Sequence, residues 1–280
     1  MIAVLDHVTQ FVNDRDETAD RYRALGFNAT PGGLHPKVGS ANHLCYFDLF
    51  YIEMLSIHDM DEAMNGPSAV CRNAAKFIAA GEGLGGVALE TENMDAAMER
   101  LREAGAEPGP VVDMQRVQKD GFVSVSRILY PVHASGVTPL PTVIERNLGP
   151  AERQPMLAER KVIAPHAIGE VGIDSVALAV QDAEAAADLY AEAFGFTPAG
   201  RYDDPVLGGQ CVRLGAGRGD IVLCQPRGEG PAQTRLARGP GPFAITLKAA
   251  ESEAVRARLG ADANGLLGPE GVHGAILRII

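Results

Sequence analysis

A histidine and a glutamate near the start of the chain have the type and the setting that chemistry requires. His7 follows Asp6 in an apolar stretch, and Glu53 stands between apolar neighbours in the run YIEML. An unpaired carboxylate is costly to bury, so we expect Glu53 either to face a polar cavity or to pair with a cation. The alternative for His7 is a core or rim histidine whose ring meets a backbone carbonyl.

Five further polar residues are candidates for binding a substrate. They are His35, Asn42 and His43, in the stretch that precedes Glu53, and Arg127 and Tyr130, on a strand-like run in FVSVSRILYP. The last two could orient an anionic substrate, although their spacing alone does not favour this role. The alternative for His35 is a loop residue without a ligand.

The composition excludes several classes of function. The chain has 280 residues, and 36 Asp and Glu against 25 Lys and Arg give a net charge of −11. This charge repels phosphate backbones and anionic lipids, so nucleic acids and membranes are not expected partners. We find no long apolar run, no secretory leader pattern and no CxxC spacing among the four cysteines. We therefore expect a cytoplasmic protein with reduced thiols.

The elements that must position these residues repeat along the chain. A strand, a capped helix, a glycine stop and two or three more strands are predicted from the start, again from residue 84 and again from residue 172. A shorter fourth copy follows at the end. Candidate N-caps and helix-ending glycines recur at nearly constant spacing within the copies, at Asp14, Asn93 and Asp182 and at Gly26, Gly105 and Gly195.

These copies divide the chain into two pairs. We assign residues 1–147 to a front pair of units that carries the candidate site and residues 172–280 to a degenerate back pair. Residues 148–171 contain prolines, mixed charges and only a brief apolar stretch, and we interpret them as a linker. One more helix is predicted over CRNAAKFIAA, between the first two units.

The front half resembles the vicinal oxygen chelate superfamily, and within it the glyoxalase-like domain family (glyoxalase, bleomycin resistance and dioxygenase type). The resemblance is carried by LDHV, by RYRALGF, by YIEML and by the pattern G-G-x-H-P-x-x-G-x-x-N over Gly32–Asn42. It is strongest over residues 1–60 and only architectural from residue 172. It implies an α+β fold in which repeated βαβββ modules form paired, cup-shaped mixed sheets.

The resemblance also implies a divalent metal, with ligands on the first and last strands of each unit. His7 and Glu53 match the two ligand positions of the first unit, and Glu145 in VIER is taken as the second carboxylate. Gly86 stands where another His or Gln is expected. One imidazole and two carboxylates suit Zn²⁺, Mn²⁺, Ni²⁺ or Fe²⁺, and Glu53 and Glu145 are also the candidate catalytic groups.

Two histidines are candidates for the missing fourth ligand. If Leu44 faces Glu53 across a tight two-residue turn, His43 points to the other face of the sheet. A change of one residue in that turn would place His43 beside Glu53 instead, because side chains alternate along a strand. His35 is the other candidate, and the sequence leaves the choice open.

The back pair has lost the ligand types altogether. Ser175 and Val222 occupy the two positions in the third unit, and neither can hold a divalent cation as part of an apolar set. We expect this half to be structural or to bind something apolar.

Three functions follow for the front half. The first is a metal-dependent lyase or isomerase that transfers a proton next to a carbonyl of a small oxygenated substrate. The second is an Fe²⁺ dioxygenase, and the third is a metal-free protein that binds or sequesters a small molecule. Cups of this kind often pair with a second cup. A homodimer is therefore one expectation, and the alternative is that the internal duplication already supplies the second cup within one chain.

Overall fold

The structure, a computed structural model, describes residues 3–280. The first module consists of β1 (Val4–Phe11), α1 (Arg15–Ala24), β2 (Ala29–His35), β3 (Ser40–Phe47) and β4 (Phe50–Ile57). Two helices then lead to the second module, α2 (Met60–Asn65) and α3 (Ala69–Ile78). The second module consists of β5 (Gly83–Glu90), α4 (Met94–Glu103), β6 (Val112–Val117), β7 (Val123–Leu129) and β8 (Thr142–Arg146).

The back half repeats this order in a shorter form. Its third module consists of β9 (Val171–Ala179), α6 (Ala183–Phe194), β10 (Thr197–Asp204), β11 (Gly209–Gly215) and β12 (Asp220–Pro226). After α7 (Pro231–Leu236), the fourth module has β13 (Gly241–Ala249), α8 (Ser252–Leu259), β14 (Leu266–Leu267), a 3₁₀ turn (Pro269–Gly271) and β15 (Ile276–Ile279). The predicted repeat of βαβββ modules is confirmed, and the fourth copy lacks one strand.

The front modules form a closed barrel and the back modules an open sheet. The barrel order is β1-β4-β3-β2-β6-β7-β8-β5, and the second sheet has the order β10-β11-β12-β9-β13-β15-β14. Within the barrel, β1 pairs with β5 in antiparallel fashion, and Val8 pairs with Val87. This pair lies at the approximate two-fold axis that relates the first module to the second. The barrel closes between β2 and β6, where Leu34 pairs with Val117.

The predicted helix boundaries are set by local chemistry. The side chains of Asp14, Asn93 and Asp182 cap α1, α4 and α6 by accepting hydrogen bonds from backbone N–H groups of the first turn. Gly26, Gly105 and Gly195 follow these helices with φ of 92°, 73° and 72°, a left-handed conformation that a glycine adopts without a steric penalty.

The segment interpreted as a linker contains a helix of its own. Helix α5 (Pro150–Glu159) buries Arg153 and Leu157 against the front barrel. The sequence of this segment contains only a brief apolar stretch. Two side chains one helical turn apart are nevertheless enough to dock the helix on the barrel. In the described part of the chain no helix has the length and apolar character needed to cross a membrane.

Candidate functional site

The front barrel encloses a cavity of about 200 Å³. Helix α5 adds Met156 and Leu157 to walls that otherwise come mostly from barrel strands. The polar side chains on these walls include His7, Thr9, His35, Asn42, Glu53, Arg116, Ser124, Ser126, Tyr130 and Thr142. Pockets for drug-sized ligands occupy roughly 300–1,000 Å³, so this cavity suits a smaller molecule.

Strand β1 holds His7 between two carboxylates. Nδ1 of His7 lies 2.6 Å from Oδ2 of Asp6, and Nε2 lies 3.4 Å from Oε2 of Glu53. A β-bulge in the pairing of β1 with β5 allows the neighbours Asp6 and His7 to meet. Burial alone would lower the pKa of His7, but the hydrogen bonds and negative charges of both acids raise it above its ordinary value. The two carboxylates therefore favour the form of the ring that carries a proton on each nitrogen.

Glu53 is the carboxylate that faces Nε2 of His7 inside the cavity. Asn42 Nδ2 donates a hydrogen bond of 2.5 Å to its Oε1, and Thr9 Oγ1 donates one of 3.1 Å to its Oε2. Burial would raise the pKa of Glu53, but the hydrogen bond and charge of His7, supported by Asn42, lower it to about 2. The carboxylate is buried, with only 8% of the residue exposed.

The glycine-rich pattern before β3 builds the support for Glu53. Asn42 Oδ1 accepts a hydrogen bond of 3.1 Å from the Gly33 N–H, and Asn42 Nδ2 also lies 3.3 Å from His35 Nε2. A Cβ on Gly32 would lie 1.9 Å from Asn42 Oδ1, so only glycine leaves room for this amide. Burial lowers the pKa of His35 to about 4, which makes its ring neutral at pH 7.

A buried cluster of charges fixes Asp6 from behind. Arg146 donates hydrogen bonds of 2.8 and 2.7 Å to the two carboxylate oxygens of Asp6. Glu90, in the same cluster, pairs with Arg153 from α5 and with Arg218 from the turn between β11 and β12. Burial opposes ionisation of Asp6, but Arg146 and the neighbouring imidazole hold its pKa far below the usual range.

Glu145 does not face the cavity, contrary to the expectation that it would join His7 and Glu53. Its Oε2 accepts a hydrogen bond of 2.7 Å from Arg127, and its Oε1 accepts one of 2.9 Å from the Met94 N–H at the start of α4. The expected position for Glu145, as a ligand and as a catalytic group in the cavity, is therefore corrected. It supports the first turn of a helix on the outer face of the barrel.

The strand register explains this correction. Thr9 pairs with Glu53 across β1 and β4, and the two-fold relation between the modules maps Thr9 onto Ala88. Ala88 pairs with Thr142 across β5 and β8. Thr142, three positions before Glu145, is thus the counterpart of Glu53, and it lines the cavity.

His43 also lies outside the cavity. Leu44 pairs with Glu53 and His43 with Met54, so the first of the two predicted registers is the observed one. The ring of His43 points toward α1, and its Nε2 lies 2.7 Å from Asp16 Oδ1. His43 therefore cannot complete a site around Glu53.

Three of the five predicted substrate-binding residues line the cavity. His35, Asn42 and Tyr130 do so, and the Tyr130 hydroxyl donates a hydrogen bond of 3.1 Å to Ser68 Oγ. Arg127, like His43, is on the outer face, where 45% of its side chain is exposed. Side chains alternate along β7, so Ser124 and Ser126 face inward and Arg127 faces outward. The expectation that Arg127 binds a substrate in the cavity is therefore corrected.

The donor set does not fit a resident metal ion. Of the four positions in the front half, His7 and Glu53 carry ligand types, whereas Gly86 and Thr142 do not. No group of three or more His, Cys, Asp or Glu side chains within residues 3–280 has an arrangement that could hold a metal. His35 is separated from Glu53 by the Asn42 amide, to which both are hydrogen-bonded. Tetrahedral protein sites use at least three such ligands.

Three arginines of the cavity wall were not among the predicted site residues, namely Arg116, Arg146 and Arg153. Arg116 lies on β6 opposite Ser124 of β7, and its Nε is buried without a hydrogen-bond partner. The alternation of DMQRV with VSVSR could have indicated that Arg116 shares a face with the serines. Arg153 carried no such signal, because its position depends on how α5 docks.

The corresponding interior of the back half is filled with apolar side chains. Val222 packs in a buried cluster with residues from β9, the turn before β11, β11, β12, α7 and β13, namely Ala177, Ala179, Leu207, Cys211, Cys224, Ala232, Phe243 and Ala244. Ser175 is buried on β9.

Two family models match the chain. The model described as "Glyoxalase-like domain" matches residues 5–194, and the model described as "Glyoxalase/Bleomycin resistance protein/Dioxygenase superfamily" matches residues 172–271. The first match includes the front barrel from its second residue onward, helix α5 and the start of the third module. No curated protein matches the chain in sequence.

Solved structures share the fold at low sequence identity. A hypothetical protein from Staphylococcus aureus has a TM-score of 0.75 at 15% identity, and the match covers 100% of this chain and 99% of that one. A mutant of 4-hydroxymandelate synthase from Streptomyces coelicolor has a TM-score of 0.59 at 15% identity, covering 96% and 77%. A fusion protein of a xylose isomerase-like TIM barrel with 4-hydroxyphenylpyruvate dioxygenase has a TM-score of 0.50 at 17% identity, covering 95% and 39%.

Proposed function

Because the chain belongs to the glyoxalase-like domain family, we propose that it is an enzyme of the lyase or isomerase type that moves a proton next to a carbonyl of a small oxygenated molecule. The observation that carries this proposal is the line Asp6–His7–Glu53, which ends inside an enclosed cavity. Proton abstraction beside a carbonyl needs an ionised base and a donor for the oxygen that becomes negative. The surroundings of Glu53 favour the ionised base, and those of His7 favour the protonated donor.

The two groups depend on each other in a way that suits catalysis. The imidazolium of His7 is the main reason that the pKa of Glu53 is about 2, which makes the carboxylate a weak base while the cavity is empty. A substrate carbonyl that accepts the Nε2–H of His7 draws this hydrogen bond away from Glu53. The pKa of Glu53 then rises toward its ordinary value, and the carboxylate becomes a stronger base only when a substrate is in place.

Asp6 is a positioning residue in this scheme. Its hydrogen bond to Nδ1 fixes the ring of His7 so that Nε2 faces the cavity, and Arg146 keeps Asp6 ionised. Tyr51 stacks on the ring at 4.5 Å between centroids and limits its rotation. We derive no step through a metal, because two ligand-type side chains fall short of a site. An Fe²⁺ dioxygenase commonly needs two histidines and a carboxylate, which these walls do not bring together.

The test is solvent hydrogen exchange, which requires no knowledge of the product. Small oxo and hydroxy compounds are incubated with the protein in D₂O, and loss of the C–H signal beside the carbonyl is followed by ¹H NMR. We expect exchange on at least one compound and a loss of roughly 10²- to 10⁴-fold in Glu53→Gln. The matched control is Glu145→Gln, which removes a carboxylate outside the cavity and should retain the exchange.

Two outcomes would contradict the proposal. Exchange that disappears after chelator treatment and returns with a divalent cation would mean that a metal participates. Compounds that bind tightly but never exchange would favour the alternative of a metal-free binding protein.

A further inference from the structure

The cavity wall contains a guanidinium group that nothing in the described chain neutralises. Arg116 lines the cavity, its Nε is buried without a hydrogen-bond partner, and no carboxylate within residues 3–280 lies at ion-pair distance from it. Arg146 and Arg153, the other arginines of the wall, are both held by Asp6 and Glu90. Arg116 therefore differs from its neighbours in having no internal role for its charge.

The local structure keeps Arg116 in this position. Arg116 pairs with Ser124 across β6 and β7, and both side chains face the cavity. The stem of Arg116 packs over Gly33, because a Cβ on that glycine would lie 3.0 Å from Arg116 Cγ and 2.4 Å from the Val117 carbonyl oxygen. The same glycine pattern that supports Asn42 thus makes room for Arg116.

We propose that Arg116 is the anchor for a carboxylate group on the molecule that the cavity binds. A buried polar group without a partner is unfavourable, and a ligand that supplies the partner gains that energy on binding. The fork of a guanidinium matches the two oxygens of a carboxylate. One unpaired positive charge balances the single charge of a carboxylate, whereas a phosphate monoester brings about −1.5 to −2.

This inference names the substrate class of the proposed enzyme and rests on the proposed function only in that respect. The carboxylate anchor and the Glu53–His7 pair lie on walls of the same cavity, so one small molecule would present its carboxylate to Arg116 and its carbonyl to His7. Binding of the anion requires no proton transfer, and the two ideas can therefore fail separately.

Calorimetric titration with phenylacetate, phenylacetamide and phenyl phosphate tests the anchor. The first two probes have nearly the same shape and differ in charge. We expect phenylacetate to bind the wild type roughly 10- to 100-fold more tightly than phenylacetamide, and Arg116→Gln to remove this difference. Arg116→Lys, which keeps the charge without the fork, should bind phenylacetate with intermediate affinity.

Arg127→Gln is the matched control, since Arg127 lies on the adjacent strand and faces outward; it should leave phenylacetate binding unchanged. Glu53→Gln should retain phenylacetate binding even where it abolishes hydrogen exchange, which separates this proposal from the proposed function. Equal binding of acid and amide, absence of binding by either, or an equal loss in Arg127→Gln would overturn the anchor. Tighter binding of phenyl phosphate than of phenylacetate would overturn its assignment to a carboxylate.

Discussion

The charged forms of His7 and Glu53 are stabilised by each other and by neighbouring polar groups. The carboxylate of Glu53 is buried, yet it stays ionised because His7, Thr9 and Asn42 all direct hydrogen-bond donors toward it. A buried ion that is held in this way contributes to folding only as long as it keeps its charge. Its contribution can therefore be measured through the pH dependence of stability.

The pKa of Glu53 in the folded protein is about 2, against an ordinary value of 4.5. Because the folded value is the lower one, the contribution is complete above pH 4.5 and is lost as the pH falls toward 2. We expect the wild type to lose about 3 kcal/mol more of its free energy of unfolding over this interval than Glu53→Gln loses. Urea denaturation of both proteins between pH 6 and pH 2 measures the difference, and parallel curves would contradict it.

The opposite sign applies to His7. Its pKa is raised in the folded protein, so its contribution is complete below the ordinary value and is lost as the pH rises through the folded value. The Asp6–His7–Glu53 line is therefore fully charged in the window between the pKa of Glu53 and that of His7. Proton transfer by this pair should be confined to the same window.

At the scale of the elements, the module helices were predictable, whereas helix α5 was not predicted and two strand registers were not settled by the sequence. The caps at Asp14, Asn93 and Asp182 depend on residues next to the helix, so local sequence specifies them. The register of β3 and β4 follows from the two-residue turn between them. Strand β8 comes after residues 130–141, a long connection that sets no register.

The arginines of the cavity wall illustrate the same limit. The sequence favoured Arg127, whereas a strict alternation along β6 and β7 places Arg116 inside and Arg127 outside. Arg153 reaches the charge cluster only because α5 docks on the barrel, and no pattern within α5 specifies that contact. Side chains supplied by tertiary packing are the part of the site that sequence reasoning could not reach.

The register of β8, in which Thr142 pairs with Ala88, leads to a prediction about metal binding. If Thr142 is the counterpart of Glu53, then Gly86→His with Thr142→Glu should create a four-ligand site together with His7 and Glu53. A Cβ at Gly86 meets no atom within 4 Å, so the new side chain has space. We expect the double variant to bind about one Zn²⁺, at least about 100-fold more tightly than the wild type, in a competition assay with a chromophoric chelator.

Adding Glu145→Gln to the double variant is the control for this prediction. Glu145 lies on the outer face and binds Arg127 and the start of α4, so its removal should leave the Zn²⁺ affinity unchanged. A loss of Zn²⁺ binding in the triple variant would restore Glu145 as the counterpart of Glu53.

At the scale of the whole molecule, the front barrel and the back sheet share one apolar core. The largest cluster of buried side chains runs from Leu5 on β1 to Ile279 on β15. Polar contacts cross the same boundary, since the Gln10 amide donates hydrogen bonds of 2.6 and 2.9 Å to the carbonyls of Val272 and His273. In the back half, the two positions compared with His7 and Glu53 hold Ser175 and Val222, and the apolar side chains of that half extend the shared core.

Arg218 connects the two halves at the site itself, because this residue of the back half pairs with Glu90 behind His7. Arg218→Gln should lower the free energy of unfolding by about 2 kcal/mol, since Glu90 loses one charged hydrogen-bond partner and keeps Arg153. Arg201→Gln, which removes an exposed ion pair with Glu184, should lower the free energy of unfolding by at most about 0.5 kcal/mol.

Alkylation of the buried thiols Cys45 and Cys224 in urea reports the unfolding of each half separately. Both thiols should become reactive at one urea concentration, shifted equally by Arg218→Gln; earlier exposure of Cys224 alone would show that the halves unfold independently.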